Sequence, residues 1–234
     1  MPYRIVLVAG ARPNFMKIAP IMEAIKNIPN LDFQLVHTGQ HYDASMSHNF
    51  FVQLNMKAPD VNLEAGGGSQ AEQTAAIMVK FEKYLLSNPC NLVLVVGDVT
   101  STLACSIVAK KLAIKVAHVE GGIRSGDMTM PEEINRLVTD SIADYFFTTT
   151  PIAGNHLLKE GKRPEQIFFV GNTMIDTLLK HQASFIEPSF WKEASLLPRQ
   201  YIVLTLHRPA NVDHPEQLKA ILLAIRKVWI TGNG

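Results

Sequence analysis

A chain of 234 residues, 47% hydrophobic and 18% charged, has ample apolar material for a buried core and is not a disordered one. Its formal net charge of +1, with both signs interspersed, excludes a broad electrostatic footprint for nucleic acid or an anionic membrane. Any anionic ligand has to be held by a few placed residues, and the length suits one domain and part of a second, since a domain runs ~100–200 residues.

Short β-branched runs alternate with longer amphipathic segments, the pattern of parallel βαβ units. Ile5 to Ala9 is the first predicted strand and Phe15 to Ile25 the first helix. Phe33 to His37 is the second strand, followed by a helix-like stretch around Met46 to Leu54. Leu92 to Val96 reads Leu-Val-Leu-Val-Val without alternation, as a strand covered on both faces should. After it come a helix over Thr102 to Leu112, a strand over Val116 to Val119, a helix over Glu132 to Ile142 and a strand over Tyr145 to Thr148. Pro151 opens another helix at a position that tolerates proline. Ile167 to Val170 and Thr173 to Lys180 form the next strand and helix. The expected fold is therefore α/β, a doubly wound parallel sheet of Rossmann-like type, over residues 1–182. Residues 183–198, with Pro188 and Pro198, read as a linker. Tyr201 to Leu206 and Pro215 to Trp229 read as one more strand and helix, the start of a truncated second Rossmann-like domain over 199–234.

No apolar stretch reaches the ~20 residues of a membrane-spanning helix. Met1-Pro2-Tyr3-Arg4 leads directly into a strand rather than a signal-peptide core. Cys90 and Cys105, the two cysteines, imply no disulfide scaffold, and Cys105 reads as a small core residue. The expected compartment is the cytoplasm.

In open parallel sheets ligands bind outside the carboxyl ends of the strands, and here the residues at those ends are unusually charged. The first strand runs into Gly10-Ala11-Arg12-Pro13-Asn14, with Lys17 a turn further on; the buried strand runs into Gly97-Asp98-Val99-Thr100. Next come His118-Val119-Glu120-Gly121-Gly122-Ile123-Arg124 and, after the last strand, His207-Arg208-Pro209. Taken singly each has an ordinary explanation. Asp98 can cap the helix that follows, Glu120 can pair with Arg124, Lys17 can be a solvated helix lysine, and His207 can be a hydrogen-bonded loop histidine. Acids in the first turn of the helix opened by Pro131 can simply favour its dipole. Gathered at one rim, two carboxylates, a histidine and an arginine are costly to hold unless something binds among them. Gly66-Gly67-Gly68-Ser69 reads as a loop with Ser69 as a helix cap. With no G-x-G-x-x-G, Walker, H-E-x-x-H or paired-cysteine pattern, no metal and no cofactor are implied.

Seven ordered blocks carry a more specific signal: Gly10-Ala11-Arg12-Pro13 with Lys17-Ile18-Ala19-Pro20, Thr38-Gly39-Gln40-His41, Val96-Gly97-Asp98-Val99-Thr100-Ser101-Thr102, His118 to Arg124, Pro131-Glu132-Glu133-Ile134-Asn135-Arg136, Gly171-Asn172-Thr173-Met174-Ile175-Asp176, and Leu206-His207-Arg208-Pro209. Together they resemble the signatures of the non-hydrolysing UDP-N-acetylglucosamine 2-epimerases, enzymes of GT-B arrangement. The resemblance implies interconversion of UDP-GlcNAc and UDP-ManNAc by elimination of UDP to 2-acetamidoglucal and re-addition with protonation on the other face. By motif match, Asp98, Glu120, Glu132 and His207 take catalytic positions, with Glu133 the neighbour that competes with Glu132 for its role. Arg12, Lys17, Gln40, His41 and Arg136 take substrate-binding positions. A homodimer formed through the first domain is implied as well. Asn14 and Ala210 depart from the pattern, each standing where many relatives have glutamate. Because the family takes most of its nucleotide contacts from the second domain, the chain as given is expected to turn over little. The competing readings are a hydrolysing 2-epimerase on the same scaffold, a GT-B glycosyltransferase, and a non-catalytic remnant of the fold.

Overall fold

The computed structural model describes residues 2–39, 51, 56–206 and 209–232. They fall into two units, Met1–Ser184 and Phe185–Gly234. In the first, seven strands form one parallel sheet: β1 (Tyr3–Ala9), β2 (Leu31–His37), β3 (Val61–Asn62), β4 (Leu92–Val96), β5 (Lys115–Val119), β6 (Tyr145–Thr148) and β7 (Ile167–Phe169). Among the described residues, the α-helices that connect or follow them are α1 (Arg12–Lys26), α2 (Gln70–Ser87), α3 (Thr100–Lys111), α4 (Pro131–Ile142), α5 (Pro151–Lys159) and α6 (Thr173–His181). The strand order is β3-β2-β1-β4-β5-β6-β7, so the winding reverses between β1 and β4. That reversal is where an open sheet leaves a crevice for a ligand.

Period-two geometry splits each central strand between two cores. Val6, Val8, Val93, Val95 and Val116 face α2 and α3, meeting Ile77, Phe81, Cys105 and Val108. Ile5, Leu7, Leu94, Val96 and Ala117 face α1, meeting Phe15, Ile18, Met22 and Ile25. Both faces of β4 are covered, which is why its sequence is apolar without alternation. Cys105 is fully buried among apolar side chains, as its sequence setting implies.

Two local devices shape the helices. Ser69 caps α2: its hydroxyl accepts from the Glu72 N–H at 3.3 Å, while the Glu72 carboxylate accepts from the Ser69 N–H at 2.7 Å. In α1, Pro20 has no N–H to give the carbonyl of Met16 four residues back. The Thr177 hydroxyl of α6 donates to that carbonyl instead, at 2.6 Å, and Lys180 pairs with Glu23 one turn along. The interruption in one helix thereby becomes an attachment point for another.

The predicted elements include neither α2 nor the short β3. The strand predicted at Tyr201 to Leu206 is absent: residues 201–206 adopt no regular structure. A strand exists by pairing, and among the described residues none pairs with it; Ile202, Val203 and Leu204 are exposed. The linker stretch contains a short helix, α7 (Ser189–Glu193), and the second unit continues with α8 (Pro209–Val212) and α9 (Pro215–Gly232). The predicted helix at Met46 to Leu54 lies outside the described residues except for Phe51. No helix among the described residues is long and apolar enough to cross a membrane.

Candidate active site

The crevice at the sheet reversal is built from three loops at strand carboxyl ends. After β1, Asn14 is buried and its side chain ties the first loop to the next strand. Its Oδ1 accepts from the Gly10 and Ala11 N–H groups at 3.0 and 2.8 Å, and its Nδ2 donates to the Val96 carbonyl at 3.1 Å. A neutral amide does both jobs, donor and acceptor, where a glutamate could only accept. Arg12 begins α1 and is exposed.

Lys17, one turn into α1, is not a solvated lysine. Its Nζ lies 2.6 Å from Glu120 Oε2, with the two side chains only 13% and 11% exposed. Glu120 therefore pairs with Lys17 and not with Arg124. Its backbone sits at φ +72°, in the left-handed region that costs a side-chain-bearing residue about 1–3 kcal/mol. The surroundings hold it there, since its N–H donates to the Phe147 carbonyl at 2.9 Å. Gly97, at φ +70°, makes room: a Cβ at that position would lie 3.3 Å from Lys17 Nζ and 3.4 Å from Glu120 Oε2.

Asp98 does not cap α3. The cap position belongs to Val99, and the Asp98 carboxylate pairs with the Arg136 guanidinium from α4. Asn135 holds the same residue by its backbone, donating to the Asp98 carbonyl at 2.8 Å. Arg136 also donates to Glu133 Oε2 at 2.8 Å. Glu133 is buried, and its carboxylate accepts from the Ser125 and Gly126 N–H groups at 3.0 Å. Burial works against that charge, but the two N–H groups and Arg136 outweigh it and bring the carboxyl down to about 2. Glu132, one residue earlier in the first turn of α4, is exposed, and its side chain makes no hydrogen bond or ion pair among the described residues.

Beneath these loops lies a polar cluster in which His118 and Arg124, named from the sequence, meet Asp140 and Glu160, which sequence alone does not single out. His118 and Asp140 are both fully buried. His118 Nδ1 is 2.6 Å from Asp140 Oδ1, and Nε2 is 2.8 Å from the Gly97 carbonyl. The other Asp140 oxygen accepts from the Gly122 N–H at 2.9 Å and from Arg124 Nη1 at 2.7 Å. Arg124 in turn forks onto Glu160 at 2.8 and 2.6 Å. Burial opposes charge on the imidazole, but the Asp140 carboxylate, the Gly97 carbonyl and the field of Glu120 together raise its pKa. Burial likewise opposes charge on Asp140, and His118, Gly122 and Arg124 lower its pKa. Gly122, at φ +82°, lets this turn press against α5, where a Cβ would come within 2.2 Å of the Ala153 carbonyl oxygen.

Of the residues singled out in the sequence, Lys17 and Glu120 meet each other, and Asp98 and Arg136 meet each other. Arg12 and Glu132 sit at the starts of α1 and α4. Gln40, His41 and His207 lie outside the described residues. Among the described residues no three His, Cys, Asp or Glu side chains are grouped to hold a metal ion.

Comparison with known proteins identifies the family of the chain. A family model described as UDP-N-acetylglucosamine 2-epimerase matches residues 23–231. The chain is 42% identical over 226 residues to the UDP-N-acetylglucosamine 2-epimerase of Methanocaldococcus jannaschii, covering 95% of this chain and 61% of that one. It is 38% identical over 230 residues to the UDP-2,3-diacetamido-2,3-dideoxy-D-glucuronate 2-epimerase of Pseudomonas aeruginosa, covering 97% of this chain and 64% of that one. The crystal structure of the M. jannaschii UDP-GlcNAc 2-epimerase in complex with UDP-GlcNAc and UDP superposes with a TM-score of 0.81 at 39% identity, over 98% of this chain and 64% of that one. The chain thus spans about three fifths of the length of these relatives. With a matching family model over most of its length, a shared parallel sheet and carboxylates at the ends of β4 and β5, it belongs to the UDP-N-acetylglucosamine 2-epimerase family.

Proposed function

We propose that the chain supplies the first-domain face of the active site of a UDP-GlcNAc 2-epimerase, with residues 199–234 contributing to a second, Rossmann-like domain. The observation that supports it most is the Lys17–Glu120 pair set against Gly97–Asp98 at the sheet reversal, with Glu120 held at φ +72°. Backbone strain maintained by its surroundings is a mark of functional sites.

The reaction removes the C2 proton while the C1–O bond breaks, the electron pair leaving with UDP and a C1=C2 double bond forming. Re-addition of UDP with a proton delivered to the opposite face of C2 gives the epimer. Because the C2 proton is weakly acidic, the reaction requires a base held by the fold and a proton donor across the ring. Asp98 and Glu120, from two loops, and Glu132, from the first turn of α4, supply the carboxylates, with His207 completing the set. Lys17 and Arg12 bring positive charge to the departing diphosphate, Gln40 and His41 contact substrate, and Arg136 orients Asp98. UDP-GlcNAc and UDP-ManNAc are the proposed substrates and the cytoplasm the proposed compartment; no nucleic-acid partner is part of this reading.

Proton NMR of UDP-GlcNAc incubated in deuterium oxide with a purified protein carrying this chain tests the reading. The expected result is deuterium at C2 in both UDP-GlcNAc and UDP-ManNAc, with UDP still attached. Accumulation of free ManNAc and UDP would favour the hydrolysing reaction, turnover only with an acceptor would favour a glycosyltransferase, and no exchange at all would favour a remnant.

The homodimer implied by the resemblance is proposed to use a groove between α2 and α4, lined by the half-buried Met78 and the exposed Ile134. Ile134→Asp is expected to shift the light-scattering mass from dimer to monomer, and an unchanged mass would refute this face.

A further inference from the structure

Two acceptors face the two ring nitrogens of His118: a carboxylate oxygen at Nδ1 and a carbonyl oxygen at Nε2. A neutral imidazole carries one N–H and leaves the other nitrogen bare, so it would oppose a lone pair to an acceptor at one of these short contacts. With Asp140 ionised, as the Gly122 and Arg124 donors on its other oxygen favour, only a ring protonated at both nitrogens satisfies both. The fully buried Asp140 balances that charge, as does Glu120 two residues along, while Arg124 and the Gly122 N–H share the second Asp140 oxygen.

These bonds connect the two turns that carry the rim carboxylates. Through His118, Asp140 holds the carbonyl of Gly97, the residue before Asp98; directly, it holds the N–H of Gly122, two residues after Glu120. The Gly97 N–H donates to the Val119 carbonyl at 3.0 Å, closing the connection from the β5 side. We propose that His118, kept doubly protonated by Asp140, and Asp140 itself are positioning residues that fix the Asp98 and Glu120 turns relative to each other. Neither has to touch substrate. Placement of a base and a proton donor on opposite faces of one carbon tolerates little error, because a shift of about 1 Å can cost ~10²-fold in rate.

The kinetic consequence rests on the epimerase reading above; the protonation state of His118 does not. Long-range proton–nitrogen NMR of the unaltered ¹⁵N-labelled chain at about pH 8, well above the usual histidine range, reads that state, with the His118 signals assigned by their loss in His118→Gln. Two protonated ring nitrogens are expected, and one bare nitrogen overturns the proposal. In a form that turns over UDP-GlcNAc, Asp140→Asn is expected to lower kcat about 10²-fold with KM within about threefold, the signature of misplaced chemistry rather than lost binding. A kcat within about threefold of the unaltered protein, or a loss carried by KM alone, overturns it. Absence of turnover in the unaltered protein would count against the epimerase reading and leave the NMR result to decide the state of His118.

Discussion

Two sets of carboxylates, one buried and one at the crevice rim, differ in what holds them. On the floor of the crevice, Glu133 and Asp140 are buried and satisfied by backbone N–H groups and arginines. At the rim, Asp98 keeps about a third of its side chain exposed, Glu120 holds a single lysine across the crevice, and Glu132 is held by nothing among the described residues. The floor acids hold the loops; in the proposed function the rim acids keep lone pairs for a substrate. A carboxylate with every lone pair occupied is a poor base, so the count of partners separates structural acids from candidate chemical ones better than their order in the sequence does.

Substitutions on the floor are expected to cost the most stability. Asp140→Ala strands His118 and Arg124 in the interior and should lower the unfolding free energy by about 3–5 kcal/mol, read from urea titrations. Glu133→Gln should cost about 1–3 kcal/mol by the same measurement, since one oxygen can still accept. Its pH dependence is equally diagnostic. The Glu133 carboxyl is depressed from 4.5 to about 2, so its stabilisation is present above pH 4.5 and is lost as the pH falls toward 2. In Glu133→Gln that part of the acid limb should flatten. Away from both regions, Thr177→Val leaves the Met16 carbonyl beside Pro20 without its donor and should cost about 1 kcal/mol. At the rim the effect on folding is smallest. Asp98→Asn should change stability by less than about 1 kcal/mol, because Arg136 retains Glu133, while C2 deuterium exchange falls by about 10²-fold or more.

Much of the floor-and-rim arrangement follows from residues that could be read in order. Apolar runs without alternation identify β4 and its neighbours as buried parallel strands, and their ends name Asp98 and Glu120 directly. Asp140 was not legible in that way. A polar residue in the tenth position of an amphipathic helix reads as solvated, and it is buried because His118 faces it from β5. The Glu120–Arg124 pairing suggested by spacing along the chain gives way to Lys17, which is 103 residues away and arrives by sheet topology. The α2 helix was legible as well: Ser69 and Glu72 form a capping box, and Ile77, Phe81, Tyr84 and Leu85 recur at helical spacing on its buried face. Residues 201–206 teach the converse: a β-branched run is a strand only where a neighbour pairs with it.

Glu132 and Glu133 put the distinction between floor and rim to its most direct test, since one residue separates them and only their partners differ. Each is changed to glutamine, and unfolding free energy and the C2 deuterium-exchange rate are measured on the same preparations. Glu132→Gln should keep its stability within about 0.5 kcal/mol and lose exchange by about 10²-fold or more, while Glu133→Gln should lose stability with the acid-limb change. Full exchange in Glu132→Gln, together with exchange abolished at unchanged stability in Glu133→Gln, would contradict the assignment.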